Sequence, residues 1–192
     1  MAKLIYVINT SLDGYVADRD GHFAWTDPTP EVFTAITEVV RPSSTYLYGR
    51  RMYEMMAVWD KAHLEPGGPA FVPGLLELER DFAAMWRAAD KIVFSTTLHH
   101  ASTAHTRIER TFDPEQIRQL KTTSAGDLTV GGPHLAAAML AANLVDELHA
   151  FVIPIIVGGG TPWLPPDLRM RLELAGERRL GSIVHLHYRS AR

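Results

Sequence analysis

The chain contains no cysteine, which removes disulfide frameworks, thiolate metal sites and cysteine nucleophiles together. Charge of one dominant sign is also missing: 19 Lys+Arg stand against 22 Asp+Glu, a formal net charge of −3. That balance gives no footprint for nucleic acid or an acidic membrane surface, and Arg178-Arg179 is too short to form a basic stripe. Long apolar runs are absent as well. The longest, at 150–157, falls far short of the roughly 18 residues that a membrane span requires. From Met1 to Asn9 the sequence turns polar too soon for a secretory signal, so a cytoplasmic protein is expected. No G-x-G-x-x-G follows the first apolar run, and no G-x-x-x-x-G-K-[ST] loop occurs; a Walker-type nucleotide hydrolase is therefore not expected.

What is present is a set of short apolar runs, with 46% of the 192 residues in the hydrophobic set. That length argues for a single domain spanning residues 1–192. A chain this size buries roughly 70% of its unfolded surface without a staple. Residues 4–8, 45–48, 91–94, 105–109 and 127–130 predict strands. The nearly all-apolar run at 148–157 predicts another, with Pro154 implying a bulge or an edge. Two more are predicted at 168–174 and 182–189, around a turn at Ala175-Gly176-Glu177.

Helical spacing lies between these runs. One helix opens at Thr29-Pro30-Glu31 and stops before Pro42. A second pattern runs through Met52, Met55, Met56 and Trp59; others cover 75–89, 114–120 behind an Asp113 cap, and 133–143. Residues 11–29 and 63–74 predict loops, the first long enough to be an active-site lid. Strand–helix alternation with a strand-rich tail predicts an α/β sheet covered by helices on both faces.

In such sheets ligands bind beyond the carboxyl ends of the strands. Three predicted strands end in residues suited to a phosphorylated ligand. Gly49-Arg50-Arg51 opens a helix with two guanidinium forks, Ser95-Thr96-Thr97 supplies hydroxyls, and Gly131-Gly132-Pro133 leaves bare backbone ahead of another helix. Each has an ordinary reading as a turn, a cap or a solvated face; their repetition after successive strands points to one dinucleotide. Gly158-Gly159-Gly160-Thr161 offers a further backbone surface, without a Lys and without a helix behind it.

Taken in order, Ser11-Leu12-Asp13-Gly14-Tyr15-Val16-Ala17, Gly49-Arg50-Arg51-Met52-Tyr53-Glu54, Lys91-Ile92-Val93-Phe94-Ser95-Thr96-Thr97, Val130-Gly131-Gly132-Pro133 and the stretch from Leu144-Val145-Asp146-Glu147-Leu148-His149 to Gly158-Gly159-Gly160 resemble the RibD C-terminal domain family. The resemblance covers 4–188 and implies a dihydrofolate reductase-like fold: a mixed, mainly parallel central sheet flanked by helices, with an antiparallel C-terminal strand pair. It also implies NADPH as cofactor. Gly49, Arg50 and Arg51 match the segment at the adenosine phosphate end, Ser95 and Thr96 the turn beside the adenine ribose, and Gly131 and Gly132 the pair under the pyrophosphate. Asp13, Gly14 and Ala17 match the loop that closes near nicotinamide, and Gly158 and Gly159 a backbone stretch on that side. Arginine there suits the extra phosphate of NADPH.

Hydride transfer is the cofactor's chemistry, and the protein adds alignment and, where a product needs it, a proton. The carboxylate candidates are Asp13, Asp27 and Glu31. Asp13 also reads as a turn residue, Asp27 as a cap, and Glu31 as a dipole-favoured first-turn acid. Tyr15, Trp25 and Trp59 are able to stack on a planar heterocycle, although the spacing of Trp59 from Met55 and Met56 also suits a core. Residues 32–36 lack the acid with which dihydrofolate reductases grip a pterin, so folate reduction is not assigned. A fused zinc deaminase, common in the riboflavin-pathway members, needs P-C-x-x-C and is excluded.

The expected activity is NADPH-dependent reduction of a small pterin, flavin or pyrimidinone heterocycle. The alternative is a nucleotide-binding sensor or accessory protein of the same fold. His149, His185 and His187 read as sheet histidines, and no metal is expected. A homodimer is expected, because sheet edges are commonly covered by a second subunit.

Overall fold

The computed structural model describes residues 1–61 and 76–191. The first apolar run forms β1 (Leu4–Ser11), and the loop behind it carries a short β2 (Tyr15–Ala17) and a 3-10 turn at Ala24–Thr26. Helix α1 (Pro30–Val40) begins where the sequence places its signals: the Thr29 hydroxyl accepts the Val32 amide and Pro30 takes the first position. There follow β3 (Ser43–Gly49), α2 (Arg50–Met56) and α3 (Val58–Lys61), a break at Ala57 dividing the pattern that ran through Trp59. The predicted loop at 63–74, with the first residue of the predicted helix at 75–89, lies outside the described residues; the remainder of that helix is α4 (Leu76–Ala88).

Next come β4 (Asp90–Phe94), β5 (Thr106–Glu109) and α5 (Pro114–Thr123), the last capped by Asp113 accepting the Glu115 amide at 2.9 Å. Then follow β6 (Asp127–Gly131), α6 (Pro133–Ala141) and β7 (Glu147–Ile153). β7 is shorter than its apolar run. Pro154 has no N–H to donate and ends the ladder instead of bulging it. A two-residue β8 (Thr161–Pro162) pairs with β2, and β9 (Leu172–Leu180) and β10 (Ile183–Ser190) close the fold.

The hairpin corrects the sequence reading. Its turn lies at Gly181, with φ 60°, and not at Ala175-Gly176-Glu177. The register passes from His187↔Gly176 to Tyr188↔Leu174, so Ala175 is an extra residue in a β-bulge. A small residue beside glycine marks a bulge as readily as a turn, and only pairing with β10 separates the two.

The main sheet has eight strands in the order β5-β4-β3-β6-β1-β7-β10-β9. Every pairing from β5 to β7 is parallel; β10 runs antiparallel to β7 and to β9. This is the mixed, mainly parallel sheet with an antiparallel terminal pair that the resemblance implies. Alternation along β3 and β4 splits the core between two faces. Leu47 and Ile92 join Ile117 of α5 and Met139 and Leu140 of α6. Tyr46, Tyr48 and Val93 face Phe33 of α1, Tyr53 of α2, and Phe82 and Trp86 of α4. Among the described residues no helix is long and apolar enough to cross a membrane.

Candidate functional site

Parallel pairing sends the carboxyl ends of β1, β3, β4 and β6 to one edge of the sheet. The register places Gly49 beside Phe94 and Tyr48 beside Gly131, so the segments starting at Arg50, Ser95 and Gly131 open onto a shared edge. Arg50 spans two of them: Nη1 donates to Thr97 Oγ1 at 3.0 Å and Nε to Glu54 Oε1 at 2.7 Å. Arg51 and Thr96 are exposed. The Ser95 hydroxyl accepts the amides of Thr97 (3.2 Å) and Leu98 (2.9 Å), folding 95–98 into a tight turn. Arg110 fastens that turn from outside, its Nη1 donating to the Ser95 and Leu98 carbonyls at 2.9 and 2.6 Å. Sequence reasoning missed Arg110, because no local pattern connects it to residue 95.

The glycine pair is required by geometry. A Cβ on buried Gly131 would lie 2.7 Å from Tyr48 Cε1 and 3.1 Å from Met52 Cγ. Gly132 has φ 91° and caps α6, with Pro133 at its first position, a conformation that other residues adopt only under strain. Met52 of α2 lies against both positions, bringing the starts of α2 and α6 together around bare backbone.

On the far side, two loops are joined. Asp13 Oδ1 accepts from Ser11 Oγ at 2.6 Å and from the Val157 amide at 3.2 Å, and Oδ2 accepts the Gly158 amide at 2.8 Å. The Ser11 hydroxyl, followed by these amides, holds the Asp13 carboxyl below the usual carboxylate range. Asp13 thus has the geometry of a clamp, and a carboxyl kept ionised in this way is a poor proton donor. Gly158, Gly159 and Gly160 all have positive φ. Arg19 lies across them: its Nη2 donates to the Gly158 carbonyl at 2.9 Å, and its Nε would be 2.6 Å from a Cβ on Gly159. Ala17 is part of the same junction, its carbonyl lying under Gly160. No local pattern distinguishes Arg19 within its Asp18-Arg19-Asp20 run.

The other two carboxylates have different contacts from Asp13. Asp27 is exposed at the end of the 3-10 turn, its amide donating to the Ala24 carbonyl at 3.3 Å. Glu31 lies in the first turn of α1, in a groove lined also by Thr34, Arg178 and Leu180. Among the described residues the three candidates share no hydrogen-bond partner.

The aromatic candidates diverge too. Trp59 packs in the core, tilted against Phe33 at 5.9 Å and edge-on to Phe82 at 4.8 Å between ring centroids. Tyr15 pairs with Pro162 in the small sheet. Trp25 is half-buried, and its buried Nε1 makes no hydrogen bond. Trp163, which the sequence reading passed over, fixes the loop after β1: its amide donates to the Gly14 carbonyl at 3.2 Å and its carbonyl accepts the Tyr6 hydroxyl at 2.9 Å. Burial pushes the Tyr6 phenol well above its ordinary range. Lys91 and Lys121 are both buried in structural roles. Lys91 donates to the Trp86 and Arg87 carbonyls at 3.2 and 3.3 Å, and Lys121 pairs with Asp146 at 2.5 Å.

Comparison with known proteins converges on one group. The RibD C-terminal domain model matches residues 2–186. A putative riboflavin biosynthesis protein from Shewanella sp. PV-4 superposes with a TM-score of 0.75 at 22% identity, covering 100% of both chains. The diaminohydroxyphosphoribosylaminopyrimidine deaminase/5-amino-6-(5-phosphoribosylamino)uracil reductase of Thermotoga maritima gives 0.67 at 18% identity, over 99% of this chain and 57% of that one. Dihydrofolate reductase from Enterococcus faecalis, complexed with NADP(H), gives 0.59 at 16% identity, covering 99% of this chain and 97% of the other.

Proposed function

The chain belongs to the RibD C-terminal domain family, and from that premise we propose that it is an NADPH-dependent oxidoreductase acting on a small pterin, flavin or pyrimidinone heterocycle. The observation that carries this reading is the shared edge formed by Arg50, the Ser95 turn and Gly131-Gly132. The residues fit the cofactor on this chain's own geometry. The backbone at Gly131 and Gly132 has no side chain to block a pyrophosphate, and α6 begins directly behind it. Arg50 and Arg51 supply the charge for the additional phosphate of NADPH. When bound, the dinucleotide supplies hydride. The protein would position it, and the loops at 11–17 and 157–160, joined through Asp13 and Arg19, would exclude water from the nicotinamide side.

Because Asp13 is committed to its clamp, proton delivery falls to an ordered water or to the substrate. That same commitment favours the second reading, a nucleotide-binding protein with little turnover. Equilibrium titration with NADPH and NADH, for the native chain and for Arg50→Ala and Arg51→Ala, tests the cofactor. Loss of one charged phosphate hydrogen bond costs about 1–3 kcal/mol, so at least one variant should lose most of an NADPH preference. Equally weak binding of both cofactors by the native protein would overturn the proposal. A steady-state screen of flavin, pterin, dihydrofolate and pyrimidinone acceptors separates the two readings: one reduced product supports the enzyme, and tight NADPH binding without turnover supports the sensor.

A further inference from the structure

A second polar cluster lies toward the opposite edge of the sheet. Cross-strand register sets Arg189 beside Glu147, His187 beside His149 and His185 beside Phe151. Alternation therefore puts Glu147 and His149 of β7 on one face with His185 and His187 of β10. Glu147 and His149 are each only 6% exposed. Glu147 Oε2 is 3.7 Å from His149 Nε2 and 3.5 Å from His187 Nε2, and the three ligand-type atoms lie within 4.8 Å of one another. Both Nε2 atoms are buried and make no hydrogen bond. Buried polar atoms nearly always have a partner; two orphans converging on one carboxylate oxygen point to a shared one.

We propose that Glu147, His149 and His187 form a zinc site that ties β7 to β10, with a water completing the tetrahedron. Zinc bonds of about 2.0–2.1 Å to nitrogen and oxygen imply ligand-to-ligand edges of about 3.4 Å in a tetrahedron, close to the two measured here. His149 and His187 stack with centroids 4.1 Å apart and planes 15° apart, so one ring must turn for both lone pairs to converge. His187 is the one with room, its side chain 21% exposed against 8% for His149.

The neighbouring contacts orient the ligand atoms, although Lys3 and Arg189 add positive charge nearby. His149 Nδ1 lies 2.9 Å from His185 Nε2; with His149 donating in that bond, its Nε2 carries the lone pair, and His185 acts as the outer partner that metal-binding histidines require. Lys3 and Arg189 approach Oε1 of Glu147, at 3.1 and 3.5 Å, and leave Oε2 to the metal. The cluster sits at the start of β7, away from the strand ends that carry the cofactor proposal, so the two inferences stand or fall separately.

Tag-free full-length protein, stripped with a chelator, is titrated with zinc against a competing indicator dye. One equivalent should bind, and cobalt in its place should give tetrahedral absorption bands. His187→Gln and Glu147→Gln should abolish stoichiometric binding, while His185→Phe should weaken it by about 10–100-fold. Absence of both zinc binding and the cobalt bands in the native chain would overturn the site without reference to any variant. Undiminished binding by a folded His187→Gln protein would also overturn it, placing the metal elsewhere, such as the Asp18, Asp20 and His22 group.

Discussion

The Asp13 carboxylate takes the Gly158 amide at 2.8 Å, joining the loop that leaves β1 to the loop that leaves β7. The bond depends on ionisation. Asp13 has a folded pKa below its ordinary value, so its contribution is present above about pH 4 and is lost as pH falls through the folded value. Asp13→Asn should melt at a lower temperature than the native chain at pH 7, and the two should converge as pH falls through the folded value of Asp13. A gap that persists undiminished in acid would show that the charge is not what holds the loops.

Gly131 has no space for a side chain. An added methyl would lie 2.7 and 2.9 Å from Tyr48 ring carbons, and Tyr48 is 2% exposed, with its hydroxyl accepting from Trp86 Nε1 at 3.1 Å. The ring is held and cannot swing aside. Gly131→Ala should therefore cost about 1–3 kcal/mol by overpacking, measured as a drop in the urea midpoint at constant m-value.

Tyr53 fastens the turn after β4. Its hydroxyl accepts the amides of Ser102 at 2.8 Å and Thr103 at 3.1 Å. Tyr53→Phe strands the buried Thr103 amide and should cost about 1–3 kcal/mol. Hydrogen exchange at 102 and 103 should accelerate more than in the sheet; uniform acceleration would point to global destabilisation instead.

Arg50 and Glu54 are both exposed on the surface of α2, so their ion pair adds about 0–1 kcal/mol to stability. Arg50→Ala should leave the denaturant midpoint nearly unchanged while reducing NADPH affinity. Parallel loss of both would assign Arg50 a structural role.

The sequence carried the elements whose causes are local. Thr29 with Pro30, and Asp113 with Pro114, announce helices because caps act within a few residues. Successive strand ends share an edge for an equally general reason, the parallel sheet. Long-range causes were illegible. β8 exists only through its pairing of Thr161 and Pro162 with Ala17 and Tyr15. Glu147 becomes a neighbour of His187 only once β10 folds back on β7. Arg19, Arg110 and Trp163 acquire their roles by reaching backbone carbonyls or amides remote in sequence.

The position of β1 has a consequence for biosynthesis. It pairs with β6 on one side and β7 on the other, and the Leu4 amide finds its acceptor at Asp146, 142 positions away. At about 5–20 residues per second, a ribosome needs on the order of 7–30 s to deliver those neighbours after β1 has emerged. Throughout that interval Leu4, Ile5 and Tyr6, which end nearly inaccessible to water, have no sheet to enter. Chaperone capture of the nascent chain should be strongest in that window and should end once β7 clears the exit tunnel.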